Sequence, residues 1–141
     1  MTTTTPKYMA VQGAALLVAA AFILLGVLGF IPGLTSDGKL FGVFAISGLH
    51  NVLHLVSGFV GVALARTYAA SRAYFLGGGL VYLALWLHGL FMARGLLPIN
   101  SADNWLHFGL GFGMILLGLT LAGQRDPTKR RRRSPKSAPG L

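Results

Sequence analysis

The chain has 141 residues, 54% hydrophobic and 11% charged, with 12 Lys and Arg set against 3 acids and a mean hydropathy of +0.67. Soluble domains carry about 25% charged residues, so this composition excludes an ordinary water-soluble domain. Cysteine is absent, which removes disulfides, thiolate metal sites, iron–sulfur clusters and c-type haem attachment; Asp37, Asp103 and Asp126 are the only acidic side chains, too few for paired-carboxylate hydrolysis or a carboxylate-rich metal cage.

A bilayer core about 30 Å thick is crossed by about 20 apolar residues in a helix, which satisfies its own backbone hydrogen bonds. Four segments reach that length, at 9–31, 41–65, 74–93 and 105–123. The breaks between them combine turn formers with charge: Pro32, Gly33, Asp37, Gly38 and Lys39; then Arg66, Ser71 and Arg72; then Arg94, Pro98, Asn100, Ser101 and Asp103. The first segment is too long for a signal-peptide apolar region and lacks a small-residue cleavage site, so it reads as a retained helix. With four spans, Lys7, Arg66, Arg72 and the seven cations of 124–141 fall on one side and only Lys39 and Arg94 on the other. The excess of cations on the cytoplasmic side predicts a multi-pass cell-membrane protein with both termini in the cytoplasm. The expected fold is all-α, a four-transmembrane-helix bundle over 1–123.

Residues 124–141 differ in kind, with seven cations, three prolines and Asp126. They read as a disordered polybasic tail. The cations either only fix topology or also attract anionic lipid at the cytoplasmic face. Arg130 to Arg133 carry no interleaved aromatics, which argues against a specific nucleic-acid site. The expected partners are the bilayer itself and either a membrane-protein partner or further copies of the chain.

Polar residues inside spans are costly and mark function or interhelical contact. The second span carries Ser47, His50, Asn51, His54 and Ser57; all but Asn51 lie three or four apart on one helix face, and Gly58 and Gly61 extend that stripe with small residues. His88 lies near the outer end of the third span, and Asp103, Asn104 and His107 open the fourth. The segment from Asn51 to Phe59 is echoed from Asn104 to Phe112 at Asn, Leu, His, Gly and Phe. Taken as a repeat, the echo makes the chain two copies of a two-helix hairpin related by an axis along the membrane normal, although the first and third spans show no comparable match.

These residues admit three readings. In the first, Asn51, His88, Asn100, Asp103, Asn104 and the histidines form an interhelical hydrogen-bond cluster, and the protein is a non-enzymatic accessory or structural subunit. In the second, His50, His54 and His107 hold a metal ion, or two histidines hold a b-type haem, with Asp103 fixing the His107 tautomer. The third is a proton or small-solute pathway. Depth along the predicted spans, at about 1.5 Å per residue, groups His50, His88 and His107 more readily than a set that needs His54. Asp103 and Asn104 also suit the first turn of a helix capped by Ser101. Gly26 with Gly29, Gly77 to Gly79, and Gly109 with Gly113 in a G-x-x-x-G pattern are expected at helix contacts. Tyr8, Tyr68, Tyr74 and Trp105 fit an interface belt, whereas Trp86 packs inside. Ser47, Ser57 and Ser101 have no evident triad partners, so no enzymatic activity is expected.

The stretch Leu49-His50-Asn51-Val52-Leu53-His54-Leu55 with Gly58, the region of Gly77-Gly78-Gly79 and Tyr82-Leu83, and Leu97 to His107 resemble the DUF4383 family, a bacterial domain of unknown function. The resemblance spans roughly 12–122 and implies a small four-helix integral membrane protein, without assigning an activity. His50, Asn51, His54, Asn100, Asp103, Asn104 and His107 fall on its motif positions, and His88 departs from them.

Overall fold

The computed structural model describes residues 9–91, 97 and 99–121. Lys7, Arg94, Pro98 and the polybasic tail lie outside the described residues, and with them part of the charge asymmetry and the expectation of a disordered tail. The described residues form four helices, α1 (Ala10–Leu28), α2 (Gly48–Leu64), α3 (Tyr68–Phe91) and α4 (Ser101–Thr120). Two of them, α1 and α3, are long and apolar enough to cross a membrane; α2 is a shorter apolar helix of 17 residues. Large apolar side chains such as Leu17, Phe59, Leu80 and Phe91 point outward, whereas the interior combines an apolar core that includes Val11, Phe22, Phe75 and Met114 with the polar Gln12, three histidines, Asn51, Ser71 and Asp103. That distribution suits an apolar solvent better than water.

Each helix start has a local cause. At α1 the Gln12 side chain accepts from the Met9 N–H at 3.0 Å and donates to the carbonyls of Ala65 at 3.1 Å and Arg66 at 3.0 Å, so one amide serves the start of α1 and the end of α2. Ser47 caps α2, its side chain accepting from the His50 N–H at 3.1 Å. Thr67 accepts from the Ala70 N–H at 3.2 Å at the start of α3. Asn100, not Ser101, caps α4: its side chain accepts from the Asp103 N–H while Asp103 accepts from the Asn100 N–H, both at 3.0 Å. This reciprocal pair is a capping box.

The second helix is shorter than its apolar run suggests. Residues 41–47 are not helical but complete a small antiparallel meander of β1 (Thr35–Ser36), β2 (Lys39–Leu40) and β3 (Phe44–Ala45), in the order β1-β2-β3. Its first turn is Asp37-Gly38, both at positive φ (49° and 70°), and its second bend holds Phe41 and Gly42 at 53° and 71°. Left-handed residues of this kind suit tight hairpin turns, so the expected all-α fold gains a short sheet, and Ser47 is a cap rather than part of a polar helix stripe.

Helices pack mainly as α1 on α2 and α3 on α4. Glycines set both contacts. A Cβ on Gly26 would meet the Asn51 carbonyl at 2.9 Å, one on Gly58 the Ala19 carbonyl at 2.8 Å, one on Gly79 the Gly111 carbonyl at 2.8 Å, and one on Gly111 the Gly79 carbonyl at 2.9 Å. Close backbone approach of this sort needs glycine. Gly109, Gly113 and Gly77 have open space instead, so the G-x-x-x-G contact expected of Gly109 and Gly113 is made by Gly111. Tyr74 is buried, with its hydroxyl donating to the Ser57 carbonyl at 3.2 Å, not placed in an outer belt.

The two hairpins make matching contacts. Gly58 lies against Ala19 and Ile23 as Gly111 lies against Gly79 and Leu83, and Gly29 meets the Asn51 side chain as Gly89 meets that of Asn104. Along α2 and α4 the matched residues differ by 53 in number; along α1 and α3 they differ by 60. Phe22 and Tyr82, which correspond on the second scale, stack on each other between the hairpins with ring centroids 5.0 Å apart.

Candidate metal centre

The two hairpins bring His50, His54 and His107 together. His54 and His107 are each the seventh residue of their helices, so their rings enter the seam at the same level; His50, one turn before His54 on the same face, completes the group. The ring centroids of His50 and His54 are 4.7 Å apart, and those of His50 and His107 5.8 Å apart. One nitrogen from each of the three rings lies within 4.8 Å of the other two, and all three residues are buried. Below them the stacked pair closes the floor, with Phe22 5.9 Å from His54 and Tyr82 5.7 Å from His107.

Hydrogen bonding leaves these rings with spare donor or acceptor capacity. Nδ1 of His50, Nε2 of His54 and Nδ1 of His107 are buried without a partner. The His50 ring is hydrogen-bonded to the backbone of Ala45, the kind of outer contact that orients a ligating imidazole and fixes its tautomer. Buried polar atoms are normally paired, so these three, like His88 Nε2 and Asn104 Oδ1 outside the triad, are exceptions among the described residues.

Asp103 does not bond His107. Its Oδ2 accepts from the backbone N–H groups of Ala45 and Asn100, both at 3.0 Å, and the carboxylate lies close enough to interact electrostatically with His50. Asn100 also donates to the Val43 carbonyl at 2.7 Å. Together Asn100 and Asp103 fasten the start of α4 to the last strand of the meander.

A cavity of about 150 Å³ adjoins the three histidines. Its polar wall is the triad with the hydroxyls of Ser57 and Tyr82, the latter donating to the former at 3.3 Å. The remaining wall is aliphatic, including Leu53, Val81, Leu85 and Ile99.

His50, His54 and His107, weighed in the sequence as a metal-binding set, are the three histidines that the structure brings together. His88 stands apart from that set, and the depth argument that favoured it over His54 fails because α2 starts at Gly48, not near Phe41. Asn51 is buried against Gly29 and Asn104 lies against Gly89, both at helix contacts and not among the triad. Phe22, Ser57, Tyr82 and the Ala45 backbone complete the surroundings. Of these, Phe22 and the Ala45 backbone have no sequence signal of their own.

The structure thus defines a helical protein with a buried histidine cluster at the seam between two helical hairpins. The family model described as "Domain of unknown function (DUF4383)" matches residues 12–120, and the chain belongs to that family. No curated protein and no solved structure matches it.

Proposed function

We propose that this protein is a four-span membrane protein whose interior binds one transition-metal ion through His50, His54 and His107. The observation that carries the reading is the convergence of three buried imidazoles, each with an unpartnered nitrogen. Three neutral histidines suit zinc, copper or iron, and three protein ligands leave a fourth position open in a tetrahedral site. Ligand bonds of about 2.0–2.1 Å require the rings to draw together by roughly 1–1.5 Å at the widest pair, within reach of small side-chain rotations.

Interhelical hydrogen bonding describes Gln12, Asn100 and Asp103 well but leaves one nitrogen of each of the three rings unpaired. A b-type haem is disfavoured by volume: a cavity of about 150 Å³ matches one that takes a benzene-sized guest, far smaller than a porphyrin. In the bilayer, α1 to α4 all cross, the meander with Lys39 lies on the outer side, and Arg66 and Arg72 lie on the cytoplasmic side with both termini. The tail then sits beside the anionic inner leaflet.

The test is metal content by mass spectrometry and Co²⁺ uptake read by visible absorption, on detergent-purified protein and on His54→Ala and the double variant His50→Leu/His107→Leu. The expected result is about one metal per chain, lost in both variants while helical circular dichroism is kept. Wild-type protein that is metal-free and takes up no Co²⁺ sinks the reading and returns the cluster to a packing role.

A further inference from the structure

The cavity beside the triad has a shape and a lining that say what should occupy the open coordination position. All three histidines border it, so a fourth ligand reaches the metal from this side. Two of its aliphatic lining residues, Leu53 on α2 and Val81 on α3, are also exposed on the flank of the bundle, at 38% and 57%. The opening is placed on this flank, between α2 and α3, because Leu53 and Val81 are the exposed residues of the cavity wall. In a membrane that mouth faces lipid tails.

Charge decides the chemistry of the ligand's head. Three neutral imidazoles leave both charges of a divalent ion to be offset, and the nearby Asp103 carboxylate, which interacts with His50, offsets at most one of them. Burying an unneutralised charge is costly, so an anionic oxygen at the fourth position is favoured over a neutral one. Ser57 accepts from Tyr82, which leaves its own hydroxyl hydrogen to donate to that oxygen.

We propose that the site takes an amphiphile from the bilayer, a carboxylate on an apolar chain, with its head on the metal and the chain leaving between Leu53 and Val81. This rests on the three-histidine metal site proposed above. The first few carbons fill the cavity of about 150 Å³ and the rest lies among lipid tails.

The test uses full-length protein in nanodiscs of zwitterionic lipid, loaded with Co²⁺ and followed by visible absorption during titration with octanoate, acetate or octanol. Octanoate is expected to shift the Co²⁺ bands at a concentration at least ten times lower than acetate, and octanol to leave them unchanged. Val81→Trp, which blocks the mouth without touching a ligand, should keep the Co²⁺ spectrum and lose the octanoate advantage. Equal potency of acetate and octanoate would mean a water-borne carboxylate and overturn the lipid route; a full octanoate response in Val81→Trp would overturn it as well. Co²⁺ bands that no carboxylate moves overturn this proposal alone, whereas failure to bind Co²⁺ overturns the metal site and this proposal with it.

Discussion

At the scale of single residues, glycine position decides where the helices touch. Gly79→Ala places a methyl against the Gly111 carbonyl at 2.8 Å, and backbone cannot rotate aside as a side chain does. The expected cost is about 1–3 kcal/mol, read as a lowered midpoint in thermal unfolding of the detergent-solubilised protein. Gly113→Ala, with nothing within 4 Å of the new methyl, should be neutral or raise the midpoint through helix propensity, by up to about 1 kcal/mol. The histidines were legible in the sequence because His50 and His54 share a helix face whatever the exact helix start. The glycines were less so: Gly109, Gly111 and Gly113 alternate along one helix, and which of them faces α3 depends on a rotation that composition does not encode.

At the scale of elements, the meander and the α4 cap act as one fastening. Asp103 accepts from two backbone donors that belong to different elements, Ala45 in β3 and Asn100 before α4. Asp103→Ala strands both N–H groups, at about 1–3 kcal/mol for each that stays buried. The expected outcome is faster hydrogen exchange at the Ala45 amide and a loosened meander, with Asp103→Asn intermediate because its amide oxygen still accepts. The capping box was partly legible, since an acid in a first turn is a common signal, but Ser101 competed with Asn100 for the cap. The meander was misread because Phe41 to Ile46 form an unbroken apolar run apart from Gly42, and short apolar runs do not distinguish strand from helix. Asp37-Gly38, which the sequence marks as a break between spans, is also a dipeptide suited to a two-residue hairpin turn.

At the scale of the molecule, topology and repetition are linked. A chain without cysteine invites single-cysteine mapping: Lys39→Cys should react with a membrane-impermeant maleimide on intact cells, and Arg66→Cys only after permeabilisation. The reverse pattern would invert the proposed orientation. The echo between the second and fourth helices stood out because Asn and His are scarce in this chain. Its counterpart in the first and third helices stayed hidden because the matching offset is 60, not 53, and because the matched residues are apolar or small, as with Ile23 and Leu83 or Ala19 and Gly79. The seven-residue difference reflects a longer connection between the helices of the first hairpin, where the meander is built.

By the same offset of 53, His50 corresponds to Asp103, and the two interact across the seam. Two identical hairpins assembled as a dimer would set a base opposite a base or an acid opposite an acid at that level. Carrying both hairpins on one polypeptide frees them to differ, so that opposite chemical characters meet where symmetry would have imposed sameness.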